Sequence, residues 1–429
     1  MSRTGKHGRP EAPRASWWDR LWEPFWALPA TIAVSSVALG LLLPILDQSV
    51  GEPWPWVFEG GIEGARSVLG TIAGAMISVT GLVFSITMVV LQLASSQYSP
   101  RVLGAFLDSR ISQSTLGVFT GSFIYALTVL RKVGGGSDDR VPQISVTVAY
   151  VYVLVAVAMF LAFIHHITTS VQVSRVMSQV RAQTVSRIQQ LGSAPAATPT
   201  WSPRPDTPRA PLTSKDRGGY ITLLDSSQLV ARARELDVVV DLDIAPGDFV
   251  TPGQPIGRVW GRSSIPDDEA VSLLASLQFG GGRTMHSDIG FGVRQLLDIA
   301  ERALSPGIND PTTALQAMNE LHAVLREMSG RPDPPAYLSD EEDVVRAVYR
   351  PQTYGRALAA SVEELVHYGK DSLRLVPQLR NLLADLVAAA RPEHRSVTET
   401  ALAEVERFLA EEFTPTISLD VRGQDPANP

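Results

Sequence analysis

The sequence predicts a mainly α-helical protein in three parts: a four-span transmembrane helical domain, a small cytoplasmic β-rich module and a cytoplasmic helical bundle. Three observations carry this prediction. Of 429 residues 45% are hydrophobic and the mean hydropathy is +0.08, yet the apolar residues are dense before Ile167 and ordinary after it. A proline-rich stretch, residues 192–217 ("GSAPAATPTWSPRPDTPRAPLTSKDR"), then interrupts the pattern. Beyond it, alternating apolar residues give way to helical spacing.

Composition narrows the chemistry. There is no cysteine, so disulfides, thiolate metal sites and cysteine nucleophiles are excluded. A net charge of −7 argues against nucleic acid as a partner, which needs a basic surface. Lysine occurs only at Lys6, Lys132, Lys215 and Lys370, and arginine supplies the other basic charge.

Residues 1–20 read as a cytoplasmic N-terminal tail and residues 21–191 as the transmembrane domain with a helical extension. A span needs about 20 apolar residues, and four stretches qualify: Phe25–Leu46, Val68–Leu93, Leu116–Leu130 and Ile144–Ile164. The third is the shortest. The first starts too late and runs too long for a signal-peptide core. Arg3, Lys6, Arg9, Arg14 and Arg20 precede it, and Arg175, Arg181 and Arg187 follow the fourth, so both termini are expected in the cytoplasm. Trp17, Trp18, Trp22 and Trp26 would form one interfacial belt, and Trp54 and Trp56 the other. His165 and His166 read as interfacial anchors at the end of the fourth span.

The second span carries the first candidate site. At about 100° per residue, Gly70, Gly74, Ser78, Gly81, Ser85, Gln92 and Ser96 share roughly an 80° arc with Ser67. Such a stripe has two physical meanings. Small residues let helix backbones approach, and Gly70–Gly74 has the GxxxG form. Alternatively hydroxyl and amide groups line a watery path and solvate what passes. No span has Asp, Glu, Lys or Arg in its middle, where proton- or sodium-coupled carriers usually need one.

After the fourth span, Val173, Val176, Met177, Val180, Ile188 and Leu191 continue one side of an amphipathic helix. Residues 192–217 read as a disordered linker. In the module at 218–262, "YITLL", "LDVVVDLDI" and "IGRVW" read as strands, with a short helix capped by Ser227. The corner "APGDFVTPGQP" has the look of a biotinyl or lipoyl carrier corner but offers no lysine to modify, so it reads as a structural turn.

Residues 263–414 read as helical, with Ser339 as an N-cap before "DEEDVV", and 415–429 as a tail. The second candidate site lies here, in "SPGINDPTTA". Ser305, Pro306 and Gly307 stop one helix; Asp310 caps the next with Pro311 at its first position. Ser305, Asn309, Asp310, Thr312 and Thr313 then crowd a helix N-terminus, where an ion or small anionic ligand can bind. Arg283, His286 and Asp288 form a second polar cluster. No catalytic residue, metal site or cofactor is indicated: no nucleophile elbow, phosphate loop or HExxH pair occurs.

Two stretches, "GAMISVTGLVFSITMVVLQLASSQYSPR" and "RALSPGINDPTTA", resemble a family of predicted bacterial membrane proteins, domain of unknown function 2254, over about Trp22 to Phe413. The resemblance implies a multi-pass protein of the bacterial plasma (inner) membrane with a cytoplasmic C-terminal region; it supplies no activity. The reading that follows is a homo-oligomeric passive channel for ions or small solutes, embedded in the lipid bilayer and lined by the second span. Its rival is a membrane-anchored scaffold or sensor that binds a protein or anionic ligand near Asn309 and Asp310.

Overall fold

Each of the four expected spans is a helix in the computed structural model, which describes residues 25–47, 57–97, 109–133, 141–170, 172–190, 200–285 and 288–411. The chain divides into two units between Gln172 and Val173. The expected tails and the tryptophans other than Trp26 in the two belts lie outside the described residues.

The first unit is built from α1 (Ala27–Asp47), α2 (Ile62–Gln97), α3 (Arg110–Leu130) and α4 (Gln143–Ser170). All four are long and apolar enough to cross a membrane. With 36 residues, α2 is about 54 Å long and exceeds the ~30 Å hydrocarbon core, so it tilts or projects beyond it.

The span that looked shortest holds the unit together. Helix α3 is 21 residues long, is the most buried of the four and packs against α1, α2 and α4. A helix walled in by its neighbours has little lipid to face, which accounts for its lower apolarity. Its Gly117 and Gly121 let α1 close in. A methyl at Gly121 would lie 2.5 Å from Ser36 Oγ, and one at Gly117 would lie 3.1 Å from Pro29 Cα. Polar groups bridge the same core. Tyr125 donates its hydroxyl to Ser145 O at 2.9 Å and stacks on Tyr152, whose hydroxyl lies 2.9 Å from Ser36 Oγ. Bonds of this kind between spans are worth about 0.6 kcal/mol each. At the end of α1, Asp47 accepts from Ile144 N, Ser145 N and Ser145 Oγ and so caps α4 from a different helix. His166 bonds to Ser109, the N-cap of α3, at 2.7 Å, so it ties two helix ends together.

In the second unit, α5 (Val173–Gln190) buries Val176, Met177, Val180 and Ile188 as the spacing implies. It starts a new helix and groups with the C-terminal unit rather than extending the membrane domain. Two sheets follow. One has the order β1–β5–β3–β8–β7, from Arg209–Thr213, Pro255–Trp260, Val239–Leu242, Val345–Val348 and Tyr337–Ser339. The other has the order β4–β2–β6, from Phe249–Val250, Gly219–Leu224 and Leu277–Gly280. All pairings are antiparallel except β3 with β8. Leu212, Ile221, Val240, Val259 and Leu273 share one core, covered by α6 (Ser226–Glu235) and α7 (Asp267–Leu274).

Four expectations are corrected here. The linker read over 192–217 contains β1: Ala210 and Leu212 are buried while Arg209 and Pro211 are exposed. Proline is tolerated because β1 is an edge strand that needs no donor on its outer side. Ser339 caps no helix. The acids after it form a turn in which Asp340 accepts from Glu342 N and Val344 N, and Val345 and Ala347 then alternate inward as β8. Thus the β-rich module extends past 262, because β6, β7 and β8 come from the region read as helical. The cap of α6 is Asp225, accepting from Gln228 N at 2.9 Å, rather than Ser227.

The remaining helices are α8 (Ile289–Leu304), α9 (Pro311–Ser329), α10 (Tyr354–Gly369), α11 (Leu375–Ala389) and α12 (Pro392–Glu411). The expected faces of α8 and α9 are their buried faces, with Val293, Leu296, Leu297 and Ala300 on one and Met318, Leu321, Leu325 and Met328 on the other.

Candidate functional site

Helix α2 buries one face and leaves the stripe out. Ala65, Leu69, Ile72, Ala73, Met76 and Val83 turn inward. Gly70, Gly74, Ser78, Gly81, Ser85 and Gln92 are all exposed; the side chain of Ser96 lies outside the described residues. A Cβ built at Gly70, Gly74 or Gly81 meets nothing within 4 Å. Packing of the stripe against another span of the same chain is therefore not observed among the described residues. Its hydroxyls are not idle. Ser78 donates to Gly74 O at 2.9 Å and Thr71 to Ser67 O at 2.7 Å, so each keeps an oxygen lone pair free to accept from water or from a second helix. Exposed Ile77, Leu82, Phe84 and Met88 flank the stripe.

The loop between α8 and α9 is a tightly bonded connector. Ser305 Oγ donates to Arg302 O, Ile308 N and Asn309 N donate to Ser305 O, and Asp310 N donates to Ala303 O at 2.7 Å. Asn309 takes φ 48°, a left-handed conformation that asparagine tolerates better than most residues. Asp310 accepts from Thr312 N at 3.1 Å, Thr313 N at 3.0 Å and Thr313 Oγ1 at 2.6 Å. Those bonds, led by the Thr313 hydroxyl, hold its carboxyl below the usual carboxylate range. The donors that would bind an anion at this helix end are already taken by a resident carboxylate. Thr312 Oγ1 also accepts from Arg374 at 3.3 Å.

The second polar cluster is separate from the first. Asp288 caps α8 through Phe291 N and pairs with Arg283 at 2.7 Å. Burial pushes its carboxyl up and Arg283 pulls it back. His286 lies outside the described residues. Asp288 and Ser305 stand at opposite ends of the 16-residue α8, about 24 Å apart. Gly247, at φ 98° in the turn before β4, leaves room for this pair: a Cβ there would lie 3.0 Å from Arg283 Nη2. That contact gives the carrier-like corner a structural use.

Two groups of charge escaped sequence reading. Arg294 on α8 bonds Asp298, Glu301 and Glu364, the last from α10, at 2.5–2.6 Å. Burial, reinforced by Glu301, pushes Glu364 up to about 7 against the pull of Arg294. The i, i+4 and i, i+7 spacings to Asp298 and Glu301 were readable; the partner 70 residues away was not. In the other group, His394 at the start of α12 is buried, with Nδ1 3.2 Å from Ser329 O and Nε2 3.4 Å from Asp333. Asp333 holds this imidazole above the usual histidine range, against the effect of burial. Among the described residues no group of three His, Asp or Glu side chains is placed to hold a metal ion.

Four long apolar helices, one of them presenting a polar stripe on its outer face, define a multi-pass membrane protein. Residues 22–385 match the family described as predicted membrane protein, domain of unknown function 2254, and the chain belongs to that family. It is 30% identical over 411 residues to uncharacterized proteins of Mycobacterium tuberculosis and Mycobacterium bovis, over 92% of this chain and 78% of each relative. No solved structure matches.

Proposed function

We propose that the protein is a homo-oligomeric, passive conduit for ions or small solutes in the bacterial inner membrane, with α2 lining the path. One observation carries this reading: the small and polar stripe of α2 faces outward, with open space over its three glycines. In lipid, exposed serine and glutamine side chains are stabilised by polar partners or water, and a ring of copies supplies both. The bias of basic flanking residues supports cytoplasmic termini. The absence of acidic or basic side chains from the middle of the spans favours passive passage over ion-coupled transport and over membrane-embedded catalysis. Binding of an anionic ligand near Asn309 has less support, because Asp310 already occupies the helix end.

Single-channel recording of purified protein in planar bilayers tests the proposal. Discrete conductance steps are expected, altered in Gln92→Leu and Ser85→Leu. A silent bilayer with insertion confirmed, or steps unchanged in both variants, would overturn it.

A further inference from the structure

Four segments of the second unit meet at one buried imidazole. His394 lies in the first turn of α12 and is 4% exposed. Its ring lies against that of Tyr354, the first residue of α10, with centroids 4.8 Å apart. Nδ1 is 3.2 Å from the carbonyl oxygen of Ser329, the last residue of α9. Nε2 is 3.4 Å from Asp333 Oδ2 in the loop beyond and makes no other hydrogen bond among the described residues. The other oxygen of Asp333 accepts from Tyr354 N at 2.7 Å. The imidazole thus links the end of α9, the loop after it and the starts of α10 and α12.

Both ring nitrogens face acceptors. A neutral imidazole carries one N–H, so in either tautomer one nitrogen lone pair is left against an oxygen. Only the imidazolium donates to both. The charges around it agree. Asp333 faces it from the loop, and Glu393 acts on it from α12 itself, although Arg391 already holds that carboxylate at 2.5 Å. Helix α9 presents a carbonyl, and α10 presents a phenol that burial keeps uncharged by raising it. Asp333 therefore decides the balance and holds the imidazole above the usual histidine range, against the effect of burial. Burial opposes charge on Asp333 as well, yet His394 and Tyr354 N hold its carboxyl below the usual carboxylate range.

We propose that His394 is a proton-operated latch: the imidazolium ties the first turn of α12 to α9 and to Asp333, and loss of its proton loosens α12 from the bundle. The folded protein binds this proton more tightly than the unfolded chain does. The latch is therefore fully made below about pH 6.5 and is released as pH rises through the higher folded value. The inference is independent of the conduit.

Hydrogen exchange of the full chain in detergent tests it, read by mass spectrometry at pH 6 and pH 8 and corrected for the intrinsic pH dependence of exchange. The Glu364→Gln background removes the other carboxyl raised into this range. Peptides covering α12 are expected to lose protection several-fold at pH 8, while peptides covering α6 keep theirs. His394→Gln and Asp333→Asn should each abolish that difference. Asp333→Asn removes the charge and keeps an oxygen for Tyr354 N, so it serves even if His394→Gln does not fold. Equal protection of α12 at both pH values would overturn the proposal. So would a difference that survives in Asp333→Asn, or a loss shared equally by α6, which would belong to the whole fold.

Discussion

Two GxxxG pairs lie within the helices described in the first unit, and they have opposite fates. Gly117 and Gly121 on α3 are filled by α1, which comes so close that added methyls would strike Ile32 and Ser36. Gly70 and Gly74 on α2 have the same spacing and nothing above them. Small residues at i and i+4 create a place where a helix can approach; they do not say which helix arrives. Within this chain α1 takes one such place, and the other remains for lipid, water or another copy.

Several measurements break or sharpen that contrast. The largest expected effect is on the filled pair. Gly121→Leu should destabilise the folded membrane unit by about 3 kcal/mol through overpacking, seen as a lower thermal midpoint in detergent. Gly74→Leu should leave that midpoint within about 0.5 kcal/mol of the parent while weakening chemical cross-linking between copies. Equal destabilisation by both would mean that the α2 face is packed after all. Next comes the cap across helices: Asp47→Ala should cost about 1–2 kcal/mol, by unsatisfying the first turn of α4. In the second unit, Asp310→Ala should cost about 1 kcal/mol by the same assay, without any change in phosphate or sulfate binding. New anion affinity on removing the carboxylate would instead expose a latent site.

The last effect is a pH slope. Glu364 has a folded-state pKa raised to about 7 from an ordinary 4.5. The folded protein therefore holds the proton more tightly than the unfolded chain, and stability falls as pH rises from about 4.5 to about 7. Glu364→Gln should flatten that slope in melting curves at pH 5, 6, 7 and 8; an unaltered slope would place the titrating group elsewhere.

The spans and the faces of α8 and α9 were legible because period and length are local properties. So was the Asp310 cap, since Pro311 and the two threonines sit within three residues of it. What escaped depends on partners distant in sequence. Edge position made Pro211 acceptable in a strand, and the turn at Asp340 made "DEEDVV" part of a hairpin instead of a helix. The outward direction of the α2 stripe was also hidden. Periodicity shows that Gly70, Ser78 and Gln92 share a face, and only the packing of Leu69, Ala73 and Met76 fixes which way that face points.

The most direct test of the outward stripe as a conduit uses the absence of native cysteine. Ser85→Cys channels in a planar bilayer would be recorded before and after a charged, water-soluble methanethiosulfonate reagent. The account predicts a sharp fall in unit conductance, because the new thiol lines the path. Unchanged conductance with the thiol confirmed as modified would contradict it.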